Sequence, residues 1–201
     1  IDLVQAIDQR VIERAVQFAA ERRRVGRPVR LAVNLSVRSL VQPTLIEAIE
    51  REFANGECDP HDLVFEITET AAVGNIQHAR AFAERLARLG CHLALDDFGA
   101  GFGSFYYLKH LPFDFLKIDG EFVKALADNP IDKLVIEAVV RIAQGLGKKT
   151  IAEYVEDEAT LEILRRSGVD LVQGFMIGRP APALEVLGLD DVPLAGDELR
   201  V

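Results

Sequence analysis

The stretch LALDDFGAGFGSFYYLKHLPFDFLKID, residues 93–119, contains two short apolar segments that each end in charged residues. The first segment ends at Asp96 and Asp97, and a glycine-rich loop follows it. The second segment ends at Lys117. If both segments are parallel strands, these charged side chains lie at the same edge of one sheet, which is where α/β proteins build their active sites.

Outside this stretch, short apolar segments alternate with longer segments of helical period, which predicts parallel βαβ units. The predicted strands are 29–33, 63–67, 92–95, 113–118, 150–152 and 171–172. The predicted helices are 4–23, 44–54, 75–89, 131–146 and 157–167. The strands are apolar throughout, as expected when helices cover both faces of a parallel sheet.

Every predicted strand ends at a polar or charged residue. These residues are Asn34, Glu66, Asp96, Lys117, Glu153 and Gln173. A single polar strand end is usually a solvated loop residue or a helix cap, but six of them favour a site on one rim of a barrel. A closed barrel needs eight strands and only six are predicted, so either two strands precede Ile1 or the sheet is open; we expect the former.

The composition sets broad limits on the function. The chain has 201 residues, is 49% hydrophobic and carries a formal charge of −9, which predicts one domain that does not bind DNA. Cys58 and Cys91 fit no metal-binding spacing and are expected to be ordinary thiols, although one disulfide stays open. No apolar segment is long enough to span a membrane, so the expected location is the cytoplasm, or a cytosol-facing part of a larger protein.

The strand-end carboxylates predict a metal site. Glu66, Asp96 and Asp97 supply hard oxygen ligands, Asn34 adds an amide oxygen, and Glu153 is a further candidate. Oxygen ligands without cysteine or histidine favour Mg²⁺ or Mn²⁺, and adjacent aspartates suit a two-metal site because one can bridge both ions. The alternative for the aspartate pair taken alone is a loop cap with an exposed neighbour.

Two further residues are candidates at the same edge. Lys117 could orient a nucleophilic water, balance charge or act as a base, or it could be a lysine paired with a carboxylate for stability alone. Glu69 could hold the glycine-rich loop by accepting backbone N–H bonds, or it could be an acidic residue at a helix start. The residue pattern leaves these alternatives open.

Six segments, in this order, resemble the successive motifs of the EAL domain family, the cyclic-di-GMP-specific phosphodiesterases of bacterial signalling. The segments are AVNLS (32–36), FEITET (65–70), LALDDFGAGFGS (93–104), LKIDGEFV (116–123), IAEYVE (151–156) and VQGFMIGRP (172–180). The resemblance covers residues 1–182, and residues 183–201 are expected to form a C-terminal tail.

The resemblance implies a modified TIM (β/α)8 barrel that lacks its first two strands in this chain. It implies cleavage of cyclic-di-GMP to linear pGpG with two Mg²⁺ or Mn²⁺ ions. By position, the implied metal-site residues are Asn34, Glu66, Asp96, Asp97 and Glu153. The other implied site residues are Lys117 on the catalytic water, Gln173 and Glu156 in support of the site or substrate, and Glu69 on the loop after the aspartates.

Several positions depart from the family pattern. The Glu-Ala-Leu stretch that names the family, whose glutamate is a metal ligand, does not occur and is expected upstream of Ile1. Ala100 stands where Thr or Ser is frequent, Gly103 where a small hydroxyl residue is usual, and Tyr154 where Gly is common. The bulk of Tyr154 beside Glu153 is expected to affect substrate access.

Three functions are compatible with these motifs. The first is a metal-dependent phosphodiesterase, which the complete set of checkable site residues favours. The second is a degenerate EAL domain that binds cyclic-di-GMP and signals to a partner, and the third is a scaffold without a ligand. The resemblance also predicts a homodimer, with flanking sensor or GGDEF-type domains in the parent protein.

Overall fold

The computed structural model describes residues 3–54, 56, 58–99 and 107–182. The chain divides into two compact units, Ile1–Lys117 and Ile118–Val201. The boundary falls inside the fourth strand, so that strand contributes residues to both units.

The first unit alternates helices with strands. Its helices are α1 (Leu3–Arg24), α2 (Val37–Leu40), α3 (Pro43–Ala54), α4 (Glu69–Gly74) and α5 (Ile76–Leu89), with 3₁₀ turns at Pro60–Asp62 and Tyr107–Lys109. Its strands are β1 (Leu31–Asn34), β2 (Leu63–Thr68) and β3 (His92–Phe98). It also contains all but the last residue of β4 (Phe115–Ile118). The pairs β1–β2 and β2–β3 are parallel.

Local sequence signals explain why these helices form where they do. Buried residues recur every three or four positions along α1 and form its inward face. They are Asp8, Ile12, Val16 and Ala19. The helix α5 begins where the side chain of Asn75 accepts a hydrogen bond from the backbone of His78. It ends at Gly90, whose φ of 92° is the left-handed conformation that favours glycine at a helix end.

The second unit contains α6 (Gly120–Lys124), α7 (Pro130–Gly145), β5 (Lys149–Ala152), α8 (Glu158–Ser167) and β6 (Leu171–Val172). The helix α7 packs against α6, α8 and β5. The strands β5 and β6 are parallel, with Ile151 opposite Leu171. The Glu153 N–H donates to the carbonyl of Ile118, the last residue of β4, over 3.4 Å. Along the chain the hydrogen-bonded strand order is β1-β2-β3-β4-β5-β6.

The predicted alternation of six strands with five long helices is confirmed. Three short helices, α2, α4 and α6, were not predicted, because a segment of four to six residues is too short to show a helical period. Each instead begins after a capping side chain, at Ser36, Thr68 and Asp119. Three strands end later than predicted: β1 at Asn34, β2 at Thr68 and β3 at Phe98. The strands β1 and β4 begin two residues later than predicted, and β5 begins one residue earlier.

Within the described part of the chain, no helix combines the length and the apolar character needed to cross a membrane.

Gly174 offers a test of the packing in the second unit. A Cβ atom at this position would lie 2.2 Å from the carbonyl oxygen of Val155 and 2.3 Å from its nitrogen, so Gly174→Ala requires the backbone to shift. We expect this substitution to lower the free energy of unfolding by about 1–3 kcal/mol in urea titrations. Gly145→Ala is the matched control, because a Cβ there meets nothing within 4 Å and alanine favours the helix. Equal stability of the two variants would show that Gly174 is not closely packed against the backbone of Val155.

Candidate active site

A buried lysine contacts two carboxylates near the C-terminal ends of neighbouring strands in the first unit. The Nζ atom of Lys117 lies 2.7 Å from Glu66 Oε2 and 3.0 Å from Asp96 Oδ1. Lys117 and Glu66 are each 2% exposed, and Asp96 is 9% exposed. The three residues belong to β4, β2 and β3, so a single ammonium group links three separate strands.

The strand register explains how the two carboxylates meet. Glu66 lies opposite Ala94, and Asp96 is two residues further along β3. Residues two apart in a strand share a face, so Glu66 and Asp96 project to the same side of the sheet. Asn34 lies directly opposite Glu66 on β1, and the N–H of Leu35 donates to the Glu66 carbonyl over 2.9 Å. The structure therefore places Asn34, Glu66 and Asp96 on three adjacent strands.

The electrostatics of Glu66 favour a bound cation. Burial raises the pKa of Glu66, the ammonium of Lys117 opposes that rise, and the carboxylates of Asp96 and Asp97 reinforce it. Its second oxygen, Oε1, is buried and has no hydrogen-bond partner among the described residues. A buried carboxylate oxygen without a donor is the position that a hard metal ion would satisfy.

Asp96 and Asp97 converge through an unusual backbone. Oxygen atoms of the two carboxylates lie within 4.8 Å of each other. Neighbouring residues of a regular strand point to opposite faces, but Asp97 has a φ of 55°. Its N–H donates to Asp96 Oδ1 over 3.0 Å. The left-handed conformation is uncommon outside glycine, although aspartate tolerates it better than most residues do.

Glu69 contacts the start of the loop that follows the aspartates. It is the first residue of α4 and is 4% exposed, and its Oε2 accepts a hydrogen bond from the N–H of Gly99 over 3.0 Å. The pKa of the buried Tyr107 phenol is raised by its burial, and the neighbouring Glu69 carboxylate raises it further. The rest of the loop, with Ala100 and Gly103, lies outside the described residues.

The second unit presents its three candidate residues after β5 and β6. Glu153 directly follows β5, and Gln173 directly follows β6. The N–H of Gln173 donates to the Ala152 carbonyl over 2.8 Å, and its side-chain Oε1 is buried without a hydrogen-bond partner among the described residues. Glu156 is exposed and lies immediately before Asp157, which caps α8.

Asp8 was missed by the reading of the sequence. It is 8% exposed on the buried face of α1, and its Oδ2 accepts a hydrogen bond from the N–H of Ser36 over 3.1 Å. Ser36 caps α2 and is two residues from Asn34, so Asp8 fixes the segment that carries a candidate ligand. The sequence does contain a signal for Asp8, because it lies four residues before Ile12 and eight before Val16, on the apolar face of the helix. A charged residue on such a face is rarely buried unless it has a partner.

Comparisons with known proteins agree with this architecture. The family model of the EAL domain matches residues 1–180, and the chain therefore belongs to the EAL domain family. The cyclic di-GMP phosphodiesterase PdeF of Escherichia coli is 36% identical over 185 residues, which are 92% of this chain and 25% of PdeF. The bifunctional diguanylate cyclase/cyclic di-GMP phosphodiesterase MucR of Pseudomonas aeruginosa is 36% identical over 157 residues, which are 78% of this chain and 23% of MucR.

A solved structure gives the same fold. The PaMucR phosphodiesterase in complex with c-di-GMP matches with a TM-score of 0.87 at 33% identity, over 92% of this chain and 75% of that one. The resemblance seen in the motifs and the predicted α/β class of the EAL barrel are thus confirmed. The chain spans about a quarter of the length of the curated relatives that it matches. The division at residue 182 stays a prediction, and residues 183–201 lie outside the described part of the chain.

Removing the buried lysine tests the electrostatics of the site. In metal-free protein, Lys117→Met is expected to lower the free energy of unfolding near neutral pH by about 3–5 kcal/mol, because Glu66 then carries an unpaired buried charge. The pKa of Glu66, already raised, rises further in the variant. Below the ordinary carboxyl pKa, Glu66 is protonated in both the folded and the unfolded protein, so its charge causes no loss of stability. As the pH rises from there towards the raised pKa of Glu66 in the folded variant, the loss of unfolding free energy grows.

Urea unfolding from about pH 4 to pH 8 in EDTA measures this pH dependence. The double variant Lys117→Met with Glu66→Gln is the control, since it has no carboxylate to titrate at position 66. We expect it to lose the pH-dependent part of the penalty. A constant loss of stability across the range in the single variant would contradict the assignment to Glu66.

Proposed function

We propose that the protein hydrolyses one phosphodiester bond of cyclic-di-GMP and releases linear pGpG, with two Mg²⁺ or Mn²⁺ ions as cofactors. The observation that carries this proposal is the buried cluster of Lys117, Glu66 and Asp96, in which Glu66 Oε1 has no hydrogen-bond partner among the described residues. The names of PdeF and PaMucR, and the c-di-GMP in the PaMucR structure, support the choice of substrate.

The donor set fits hard divalent ions. The proposed ligands all offer oxygen atoms: Asn34, Glu66, Asp96, Asp97 and Glu153. Asp96 and Asp97 present oxygens within 4.8 Å of each other, which suits ligands that share a pair of ions. When bound, such ions lower the pKa of a coordinated water and neutralise charge on the phosphate.

Side chains of the first unit stabilise the proposed ligands Glu66 and Asp96. Lys117 donates a hydrogen bond to Glu66 and forms an ion pair with Asp96, so it offsets the mutual repulsion of the two carboxylates. We propose that the same ammonium orients the attacking water, because it is the cation in direct contact with two of the proposed ligands. Glu69, through its bond to Gly99, is proposed to hold the loop that follows Asp97.

The second unit is proposed to support the substrate. Gln173 has a buried side-chain oxygen without a partner among the described residues, so it can accept a hydrogen bond from a bound water or ligand. Glu156 is exposed just after β5 and is proposed as a second supporting residue. Glu153, the residue directly after β5, is proposed as both a metal ligand and a catalytic residue.

The parent protein is proposed to be a multidomain cytoplasmic or cytosol-facing signalling protein. The bifunctional name of MucR supports a neighbouring GGDEF-type cyclase, and a sensor domain is the other proposed neighbour. We further propose that the EAL domains pair as a homodimer. With a charge of −9, the chain offers little attraction to nucleic acid, and no DNA partner is proposed.

Asp96→Asn tests the proposed reaction. The substitution keeps the size of the side chain but removes a charged oxygen ligand, so kcat for cyclic-di-GMP should fall by about 10²–10³-fold or more. Release of pGpG from the full-length protein in Mg²⁺ or Mn²⁺, followed by chromatography, measures the effect. Asp128→Asn, an exposed carboxylate just before α7, is the control and should keep wild-type activity.

Three outcomes separate the competing functions. Formation of pGpG that EDTA abolishes and Mn²⁺ restores supports the phosphodiesterase. Binding of cyclic-di-GMP without Mg²⁺ and without pGpG identifies a receptor instead. Substantial turnover by Asp96→Asn would mean that the residues proposed as the metal site are not the reacting centre.

A further inference from the structure

Tyr154 has a backbone conformation that bulky residues rarely adopt. Its φ is 55°, it directly follows Glu153, and its side chain is 51% exposed. Left-handed backbone is uncommon outside glycine and asparagine, and an aromatic residue in it needs compensating contacts. The contacts of Tyr154 therefore show what holds the chain in this turn.

The ring of Tyr154 packs against the start of α6. A Cβ atom built on Gly120 would lie 2.1 Å from Tyr154 Cδ2 and 2.7 Å from its Cγ, so the ring occupies the space of a side chain at position 120. The ammonium nitrogen of Lys124 lies 4.0 Å from the ring centre, within the range of a cation–π interaction. Both partners belong to α6, and the ring thus joins the turn after β5 to the helix after β4.

The residue on the other side of Tyr154 is also anchored. Val155 is fully buried, its N–H donates to the Gln173 carbonyl over 3.0 Å, and its carbonyl accepts from the N–H of Met176 over 3.0 Å. Glu153 is held by its own N–H bond to Ile118. Between these two fixed residues, the direction of the turn depends on Tyr154 keeping its left-handed conformation.

We propose that Tyr154 is a positioning residue for Glu153. Its ring, packed on Gly120 beneath the Lys124 ammonium, locks the left-handed turn and thereby aims the Glu153 carboxylate as a metal ligand. This role rests on the proposed function, since it requires that Glu153 binds a metal ion. The ring of Tyr154 occupies the volume that a side chain at Gly120 would need.

The test measures Mn²⁺ affinity in the full-length protein, by electron paramagnetic resonance of the free ion. Tyr154→Gly should weaken Mn²⁺ binding about tenfold, a typical cost of losing a residue that orients a ligand. Tyr154→Phe keeps the ring and should stay within about twofold of wild type. Phe175→Ala is the matched control, because Phe175 is equally exposed and has the Arg179 guanidinium carbon 4.5 Å from its ring centre.

A double variant tests the contact itself. Gly120→Ala places a methyl group inside the volume of the ring and should weaken Mn²⁺ binding about as much as Tyr154→Gly. Once the ring is gone, the methyl group has room, so Gly120→Ala combined with Tyr154→Gly should bind Mn²⁺ as the Tyr154→Gly variant does. Independent losses that multiply in the double variant would overturn the proposal.

Thermal unfolding without metal separates positioning from folding. Wild-type unfolding temperature with weakened Mn²⁺ binding supports positioning; if Tyr154→Gly does not fold, Tyr154→Asn replaces it, because asparagine tolerates the left-handed region. If the folded Tyr154 variant binds Mn²⁺ as tightly as wild type, or if Phe175→Ala weakens Mn²⁺ binding equally, the positioning role of Tyr154 is wrong while the proposed function stands. Wild-type protein that binds Mn²⁺ but releases no pGpG overturns only the proposed function, and absence of Mn²⁺ binding in wild type overturns both.

Discussion

The contact between Lys117 and its two carboxylates is the constraint on which the rest of the first unit depends. Burying one ammonium group or one carboxylate alone costs several kcal/mol. Here the ammonium lies 2.7 Å from an oxygen of Glu66 and 3.0 Å from an oxygen of Asp96, so each carboxylate has a buried counter-charge. The contact works only if β2, β3 and β4 keep a fixed register. A polar cluster of this kind thus ties the alignment of three strands to the geometry of the site.

Much of this arrangement could be predicted from the sequence, because it follows from the regular spacing of apolar residues along the chain. Apolar segments that end in Glu66, Asp96 and Lys117 predicted three strand ends at one edge, and the residues do meet there. The longer helices were predictable because apolar residues recur along them at a helical spacing. Motif order identified the family, since six segments at fixed spacing rarely agree by chance.

The remainder depends on contacts between residues distant in sequence. The hydrogen bond from Ser36 to Asp8 joins positions 28 residues apart, and no local pattern encodes it. The short helices after β1, β2 and β4 arise from capping side chains rather than from a period. The left-handed backbone at Asp97 and Tyr154 was equally invisible, because neither residue is a glycine whose presence would have marked the turn.

The conformation of Asp97 also limits what mutagenesis can reveal about it. Aspartate and asparagine enter the left-handed region more readily than alanine does, because their short polar side chains can bond to nearby backbone. Alanine scanning at this position would remove a carboxylate and favour a different backbone path in one step, and the two losses could not be separated. Asparagine keeps the backbone preference and removes only the charge. Its effect on activity can therefore be attributed to the loss of the carboxylate.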